Sequence, residues 1–380
     1  MIADEAPLIL GGGPAGSMVA LKLARAGRQV TLLEKSKEAH DKVCGDFLSR
    51  ESLGYLESVG LSPETLGAVP IRTVRVVTPK FQKESALPFP AWSLTRRVLD
   101  EALLTEAARQ GAEVVRDAHV ASLLHEDAAW IAVLRDGRRW CARNAVLATG
   151  KLDVNGWPRP EGTQPGLVAF KMYFCLSEEQ QTELGDAVEL AFYPGGYTGL
   201  QRVESGRANL TILVDGRHLR ASGSQWTAVL QSVLDASPHL QHRLRGAVEM
   251  LPKPLTASRI PYGHVQRDGE DGLWRVGDQA AVIPSLCGDG TAIALHCGAL
   301  AAACMLRGDG APAYQRRLHR QVSTRVGLAT GISRLMVGHP AASDCLRVFP
   351  GLLRTVAMLT RISDSALEET RKIAEQATKG

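Results

Sequence analysis

The chain has 380 residues, enough for two domains or one large one, with the apolar and charged content of an ordinary globular protein. Its net charge of +4 is small and no long basic run occurs, which argues against nucleic acid as a partner. The seven cysteines are scattered, with no CxxC pair and no compact Cys/His cluster, so neither a disulfide framework nor a metal site is expected. That usage fits a reducing cytoplasm. The N-terminus starts on a strand with no basic leader, so no signal peptide is expected. The most apolar run, 291–306, contains His296 and is too short to span a bilayer.

The first predicted element is a buried parallel strand over Leu8–Leu10. Gly11, Gly13 and Gly16 follow in G-x-G-x-x-G spacing, with Pro14 and Ala15 between the last two. A helix over Met18–Ala26 and a second strand over Gln29–Leu33 come next, and the strand ends on Glu34 and Lys35. In this context the glycines have distinct uses. Gly11 allows a tight turn, Gly13 lets a pyrophosphate approach the backbone, and Gly16 lets the helix sit close to the strand. The helix start supplies free N–H groups for phosphates, and Glu34 can accept from ribose hydroxyls. A dinucleotide site is therefore expected.

Further along, "SLTRRVLDEALLTEAARQGAEV" (93–114) reads as a helix, and "RNAVLATGK" (143–151) as an apolar strand ending on Ala148-Thr149-Gly150. Residues 151–270 hold alternating apolar strands around "GLVAFKMYFCL", "AVELAFYP", "GGYTGLQRV" and "RANLTILVD", as in a mostly antiparallel sheet. Residues 222–248 read as helical. "GLWRVGDQAAVIPSLCGDGTAIALHCG" (272–298) reads as a strand, then Gly277-Asp278, a Pro284 turn, and Gly288 and Gly290 opening a helix. From 310 onward the chain is Arg-rich and helical.

The two glycine-rich segments in this order resemble the FAD-dependent oxidoreductases built like para-hydroxybenzoate hydroxylase and geranylgeranyl reductase. The resemblance implies an α/β fold. A discontinuous Rossmann-like FAD domain (1–150 and 272–310) carries an inserted, mostly antiparallel substrate domain (151–271), and a helical C-terminal region (311–380) follows. It assigns Asp278, after Gly277, to the ribityl chain, and the backbone from Cys287 through Gly288 and Gly290 to Thr291, after Pro284, to the flavin's pyrimidine edge. It assigns Arg96 to the FAD side, Thr149 and Gly150 to the middle motif, and the backbone of Val120 to the adenine. "DKVCGD" (41–46) resembles the loop after the second strand in prenyl reductases. That brings Lys42 toward the FAD ribose or pyrophosphate and Cys44 and Gly45 toward the isoalloxazine. Cys44 is then either a proton donor or a small packing residue.

One complete dinucleotide fingerprint is present and no second one for a nicotinamide cofactor, so NADPH or NADH would act transiently or a separate reductase would deliver electrons. Two chemistries compete: oxygen insertion into an aromatic or polyketide-like compound, and reduction of an isoprenoid or other alkene. The Tyr-x-Trp-x-Phe-Pro motif of prenyl reductases is reduced here to Tyr197, with Gly199 for the Trp and Gln201-Arg202 for Phe-Pro, which favours oxygen insertion. The halogenase motif Trp-x-Trp-x-Ile-Pro is not matched by "NGWPRP" (155–160). A non-catalytic FAD-binding role stays open as a different class. Strand alternation puts Val168, Phe170, Leu190, Phe192, Leu210 and Ile212 on one apolar face toward the substrate, with Tyr197 and Arg202 as polar contacts. Residues 346–363 carry an apolar stripe. It either packs on its own domain or makes a peripheral membrane contact.

Overall fold

The computed structural model describes residues 6–339 and 351–377. Short apolar strands build a five-stranded parallel sheet in the order Leu273–Arg275, Ala145–Leu147, Leu8–Leu10, Thr31–Leu33, Glu113–Val115. Helices Pro14–Arg25, Arg96–Arg109 and Gly290–Arg307 pack around it, joined through one core containing Met18, Leu99, Leu103 and Leu295. Gly298 allows two of these helices to touch. A Cβ there would stand 2.4 Å from the Ala15 carbonyl oxygen. Gly290–Arg307 is long and apolar enough to cross a membrane by length and composition, yet it is largely buried in this core.

A second, nine-stranded sheet is mixed. Its main path runs Val248–Glu249, Leu167–Cys175, Ala208–Asp215, Gly196–Arg202, Ala187–Tyr193, Val69–Val77, Gln82–Ser93, Phe47–Leu48, with Leu255–Ala257 beside Leu167–Cys175. The four strands expected within 151–215 are therefore present. The sheet also recruits Phe47–Leu48, Val69–Val77 and Gln82–Ser93 from the block the sequence assigns wholly to the FAD domain. Val69–Val77 pairs in parallel with Ala187–Tyr193, so the two sections of chain share one sheet. A third, three-stranded sheet (Val120–Glu126, Ala129–Leu134, Arg139–Ala142) covers the FAD sheet's flank.

The helix expected across 222–248 forms in pieces, Trp226–Ala236 and Pro238–Arg243. The break falls at Ser237, because a residue before proline is pushed out of the helical region. Both pieces cover one face of the nine-stranded sheet.

Candidate functional site

The glycine turn has the geometry its sequence demands. Gly11 has φ +112, and a Cβ there would lie 2.5 Å from the Ala148 carbonyl oxygen. Gly13 caps helix Pro14–Arg25 with no side-chain bond, so its first N–H groups keep free directions toward the cavity. Glu34 is buried, and its carboxylate accepts from the Gly12 N–H at 2.7 Å and the Ser36 N–H at 2.9 Å. Burial opposes its ionisation, but Lys42 and these N–H groups outweigh that and hold the carboxyl below its ordinary value. Glu34 thus braces the turn as well as ending the second strand. Lys35 is exposed.

Arg96 stands beside the turn, 3.4 Å from where a Gly13 Cβ would sit, and grips Asp100 with two bonds of 2.7 and 2.8 Å. Lys42 takes the same carboxylate at 2.7 Å. Val120 lies in the three-stranded sheet against a separate core, and Thr149 bonds back to the Leu152 carbonyl. Neither lines the cavity, whereas Gly150 does.

The loop 41–46 is fastened from the nine-stranded sheet. Lys171 and Asp46 form a 2.6 Å ion pair in which both side chains are fully buried. Tyr173 and Asn209 donate to the same Asp46 oxygen at 3.0 and 2.9 Å. Burial raises the Asp46 carboxyl above its ordinary value, against the pull of Lys171 and Tyr173. Lys171 also donates to the Lys42 carbonyl at 3.1 Å, and Asn209 to the Cys44 carbonyl at 3.0 Å. Asp46 adopts φ +58, a conformation Asp tolerates better than most residues, and its N–H points at the Cys44 sulfur, 3.4 Å away. Cys44 and Gly45 both line the cavity. Lys171 carries no motif, and nothing in the sequence singled it out.

Across the cavity, Gly277 and Asp278 follow the strand Leu273–Arg275, and Asp278 faces Lys151 at 3.5 Å. The turn through Gly288, in the left-handed region with φ +70, sets up helix Gly290–Arg307. Phe47 occupies the space a Cβ at Gly288 would need. Pro284 precedes this turn and its neighbours Ile283 and Ser285 face the cavity. Arg361, just past helix Gly351–Leu359, is buried. It pairs with Asp289, sits 4.1 Å over the Phe89 ring, and reaches the Cys287 carbonyl. Helix Gly351–Leu359 leaves Arg354, Met358 and Leu359 exposed. Residues 346–350 of that stretch lie outside the described residues.

Burial lifts the Asp289 carboxyl to about 7, with Arg361 opposing and Glu51 adding to the rise. The folded state therefore holds this proton from its ordinary value of 3.8 up to about 7, while the unfolded chain loses it at the lower value. Wild-type stability then falls as pH rises through that window. An Asp289→Asn variant gains stability relative to wild type between those pH values and levels off above them. Urea unfolding at a series of pH values checks this; a difference independent of pH contradicts it.

These elements line one continuous cavity. One end is lined by Gly13, Pro14, Ala15, Arg96, Gly150 and Asp278, the other by Val74, Val76, Leu190, Phe192, Ile260 and Met336. A Cβ at Gly45, Gly150 or Gly290 would meet nothing within 4 Å, so the backbone there borders open space. The residues present thus fit an extended dinucleotide with its phosphates at the helix start and a ring beside loop 41–46.

The expected substrate face is corrected in part. Leu190 and Phe192 line the cavity, but Val168, Phe170, Leu210 and Ile212 turn to the opposite face and pack under helix Trp226–Ala236. Their neighbours Ala169, Thr211 and Leu213 take the cavity side. Both faces of these strands are covered, so apolar alternation carries no phase. Tyr197 lines the cavity, whereas Arg202 lies outside it in a shallow surface groove with Arg72 and Asp186. His296 is a satisfied core residue, bonded to Tyr55 at 2.7 Å and Gln321 at 2.9 Å, and burial lowers its pKa to about 4.

Residues 5–140 match the family described as FAD binding domain. Digeranylgeranylglycerophospholipid reductase 2 of Methanopyrus kandleri is 29% identical over 309 residues, covering 77% of this chain and 75% of that protein. Menaquinone reductase of Mycobacterium tuberculosis is 24% identical over 378 residues, covering 95% and 88%. Among solved structures, the flavin-dependent brominase Bmp2 superposes with a TM-score of 0.77 at 16% identity over 99% of both chains. The Pseudomonas aeruginosa protein PqsL in complex with 2-aminobenzoylacetate superposes with 0.68 at 18% identity, over 89% of this chain and 96% of that one. The glycine turn, the Gly277-Asp278 segment and these likenesses converge: the chain is an FAD-dependent oxidoreductase, similar in sequence to these reductases and in fold to these flavoenzymes.

Proposed function

We propose that this flavoenzyme reduces carbon–carbon double bonds in a lipophilic, isoprenoid-bearing substrate, with NADPH, NADH or a separate reductase replenishing the electrons. The observation that carries the reading is the substrate end of the cavity. Its wall is built from Val74, Val76, Leu87, Val188, Leu190, Phe192, Ile260, Ile332 and Met336, which suits a branched hydrocarbon chain better than a small polar aromatic acid. Arg202, the residue expected to orient such an acid, lies elsewhere. The reductases among the sequence relatives support the same choice, against the oxygen insertion that the altered Tyr197 motif favours.

Bound FAD supplies the hydride chemistry. The chain's own residues keep water out through the apolar wall, and Cys44 is the thiol poised to deliver a proton from loop 41–46. Burial pushes the Cys287 thiol up to about 12, which makes it a poor proton donor. Exposed Leu335, Met358 and Leu359 adjoin the cavity-lining Met336 and Ala357, an arrangement that suits collecting a lipid from the cytoplasmic face of a membrane.

The test is product analysis. Enzyme reduced chemically without oxygen is given prenylated lipids, and the product is weighed by mass spectrometry. A gain of two hydrogens in the absence of oxygen is expected. Product that appears only after labelled oxygen is admitted, and carries the label, returns the enzyme to oxygen insertion.

A further inference from the structure

We infer that Tyr197, Ser285 and Tyr262 form a hydrogen-bond-donor subsite for a neutral carbonyl oxygen on the lipophilic substrate, an inference that rests on the apolar, isoprenoid reading of the cavity. Tyr197 comes from the strand Gly196–Arg202, Tyr262 from the loop after Leu255–Ala257, and Ser285 from the turn ahead of helix Gly290–Arg307. Three separate parts of the chain thus bring hydroxyl groups to one point. The Tyr197 hydroxyl lies 2.8 Å from the Ser285 oxygen, and the Tyr262 hydroxyl lies 3.0 Å from the same atom. All three residues line the cavity, and both tyrosines are 4% exposed.

Proton counting gives the chemistry. Three hydroxyls carry three protons, and the two contacts among them consume two. Whichever way the protons are arranged, one O–H has no acceptor among the described residues. Burial raises both phenols above their ordinary values, so both stay protonated through neutral pH. An unspent donor in an apolar surround is costly until an acceptor arrives.

The donors of the subsite are uncharged hydroxyls, and the cations of the cavity are held by carboxyl partners elsewhere. Among the described residues lining the cavity, the cations are Arg96, Lys151 and Arg361. Arg96 is held by Asp100, Lys151 faces Asp278, and Arg361 pairs with Asp289. Each already has a carboxyl partner, and the three hydroxyls carry no charge of their own, which suits a neutral acceptor better than a phosphate or carboxylate. A ketone carbonyl on a lipophilic molecule fits a single donor at the edge of an apolar wall.

The experiment compares two probes on the oxidised holoenzyme by flavin absorbance titration: a prenylated 1,4-naphthoquinone and the prenylated naphthalene lacking its carbonyls. The quinone is expected to bind roughly 2- to 12-fold tighter, the worth of one net hydrogen bond. The triple variant Tyr197→Phe, Ser285→Ala, Tyr262→Phe should erase that difference while keeping bound FAD. A single deletion should not, because it leaves an unspent donor. Should the triple variant fail to fold, infrared spectra of the carbonyl-labelled quinone on wild type decide the matter. A carbonyl stretch lowered relative to alkane solvent is expected. Equal binding of the two probes with an unshifted stretch overturns the subsite and leaves the alkene-reduction reading standing. Binding of neither probe overturns the isoprenoid reading, and the subsite with it.

Discussion

Gly16→Ala is expected to leave little folded protein, whereas Gly290→Ala is expected to fold normally and lose FAD. The two glycines belong to the two halves of the cofactor motif but meet different surroundings. A Cβ at Gly16 would stand 2.0 Å from the Gly11 carbonyl oxygen and 2.9 Å from the Ala148 Cβ. Both obstacles are fixed by the parallel sheet, so the helix Pro14–Arg25 must lift from its strand. Overpacking of this kind costs ~1–3 kcal/mol where neighbours can yield, and more where backbone is the obstacle. A Cβ at Gly290 meets nothing within 4 Å and projects beside open cavity. Its penalty should fall on the ligand. Thermal unfolding of the apo proteins, followed by FAD titration, separates the two effects. Equal melting temperatures for both variants would contradict the assignment of Gly16 to packing.

Lys171→Met should destabilise the protein by about 3–5 kcal/mol, since it strands Asp46 as a buried charge without its partner. The wild-type pair is no guarantee of net stability, because desolvating two charges offsets their attraction. The informative experiment is therefore a double-mutant cycle. Asp46→Asn keeps a residue that tolerates φ +58 and can still meet Tyr173 and Asn209, while removing the charge. Lys171→Met combined with Asp46→Asn should recover much of the loss, with a coupling in the ~0.5–3 kcal/mol range for residues in contact. Additive losses would mean that the pair does not hold loop 41–46.

What could be read in the sequence follows from how locally each requirement is written. The turn at Gly11–Gly16, the acid at Glu34, the Arg96 helix start and the Gly277-Asp278 segment each pose a backbone or charge requirement within a few residues, and all recur where expected. The substrate strands were legible as strands, but not their facing. Leu167–Cys175 is buried along nearly its whole length, so nothing distinguishes Phe170 from Ala169 until the helices on one side are in place. Pairings far apart in sequence were invisible for a different reason. Lys171 meets Asp46 across 125 residues and Arg361 meets Asp289 across 72, and neither residue type nor spacing names its partner. The same holds for Tyr262 and Ser285, ordinary residues that matter only because a loop and a turn meet the strand that carries Tyr197. The strands at 69–77 and 82–93, within the block given to the FAD domain, join the nine-stranded sheet, because position along the chain says little about which sheet edge a strand will join.

As proposed, reduced flavin in this cavity hands its electrons directly to a carbon–carbon double bond. Rapid mixing tests it most directly. Holoenzyme reduced under strictly anaerobic conditions is mixed with a prenylated lipid, and the return of oxidised-flavin absorbance is followed in time. Reoxidation without oxygen, at a rate that rises and saturates with lipid concentration, is the predicted result. Flavin that stays reduced at every lipid concentration, and reoxidises only when oxygen is admitted, would contradict it.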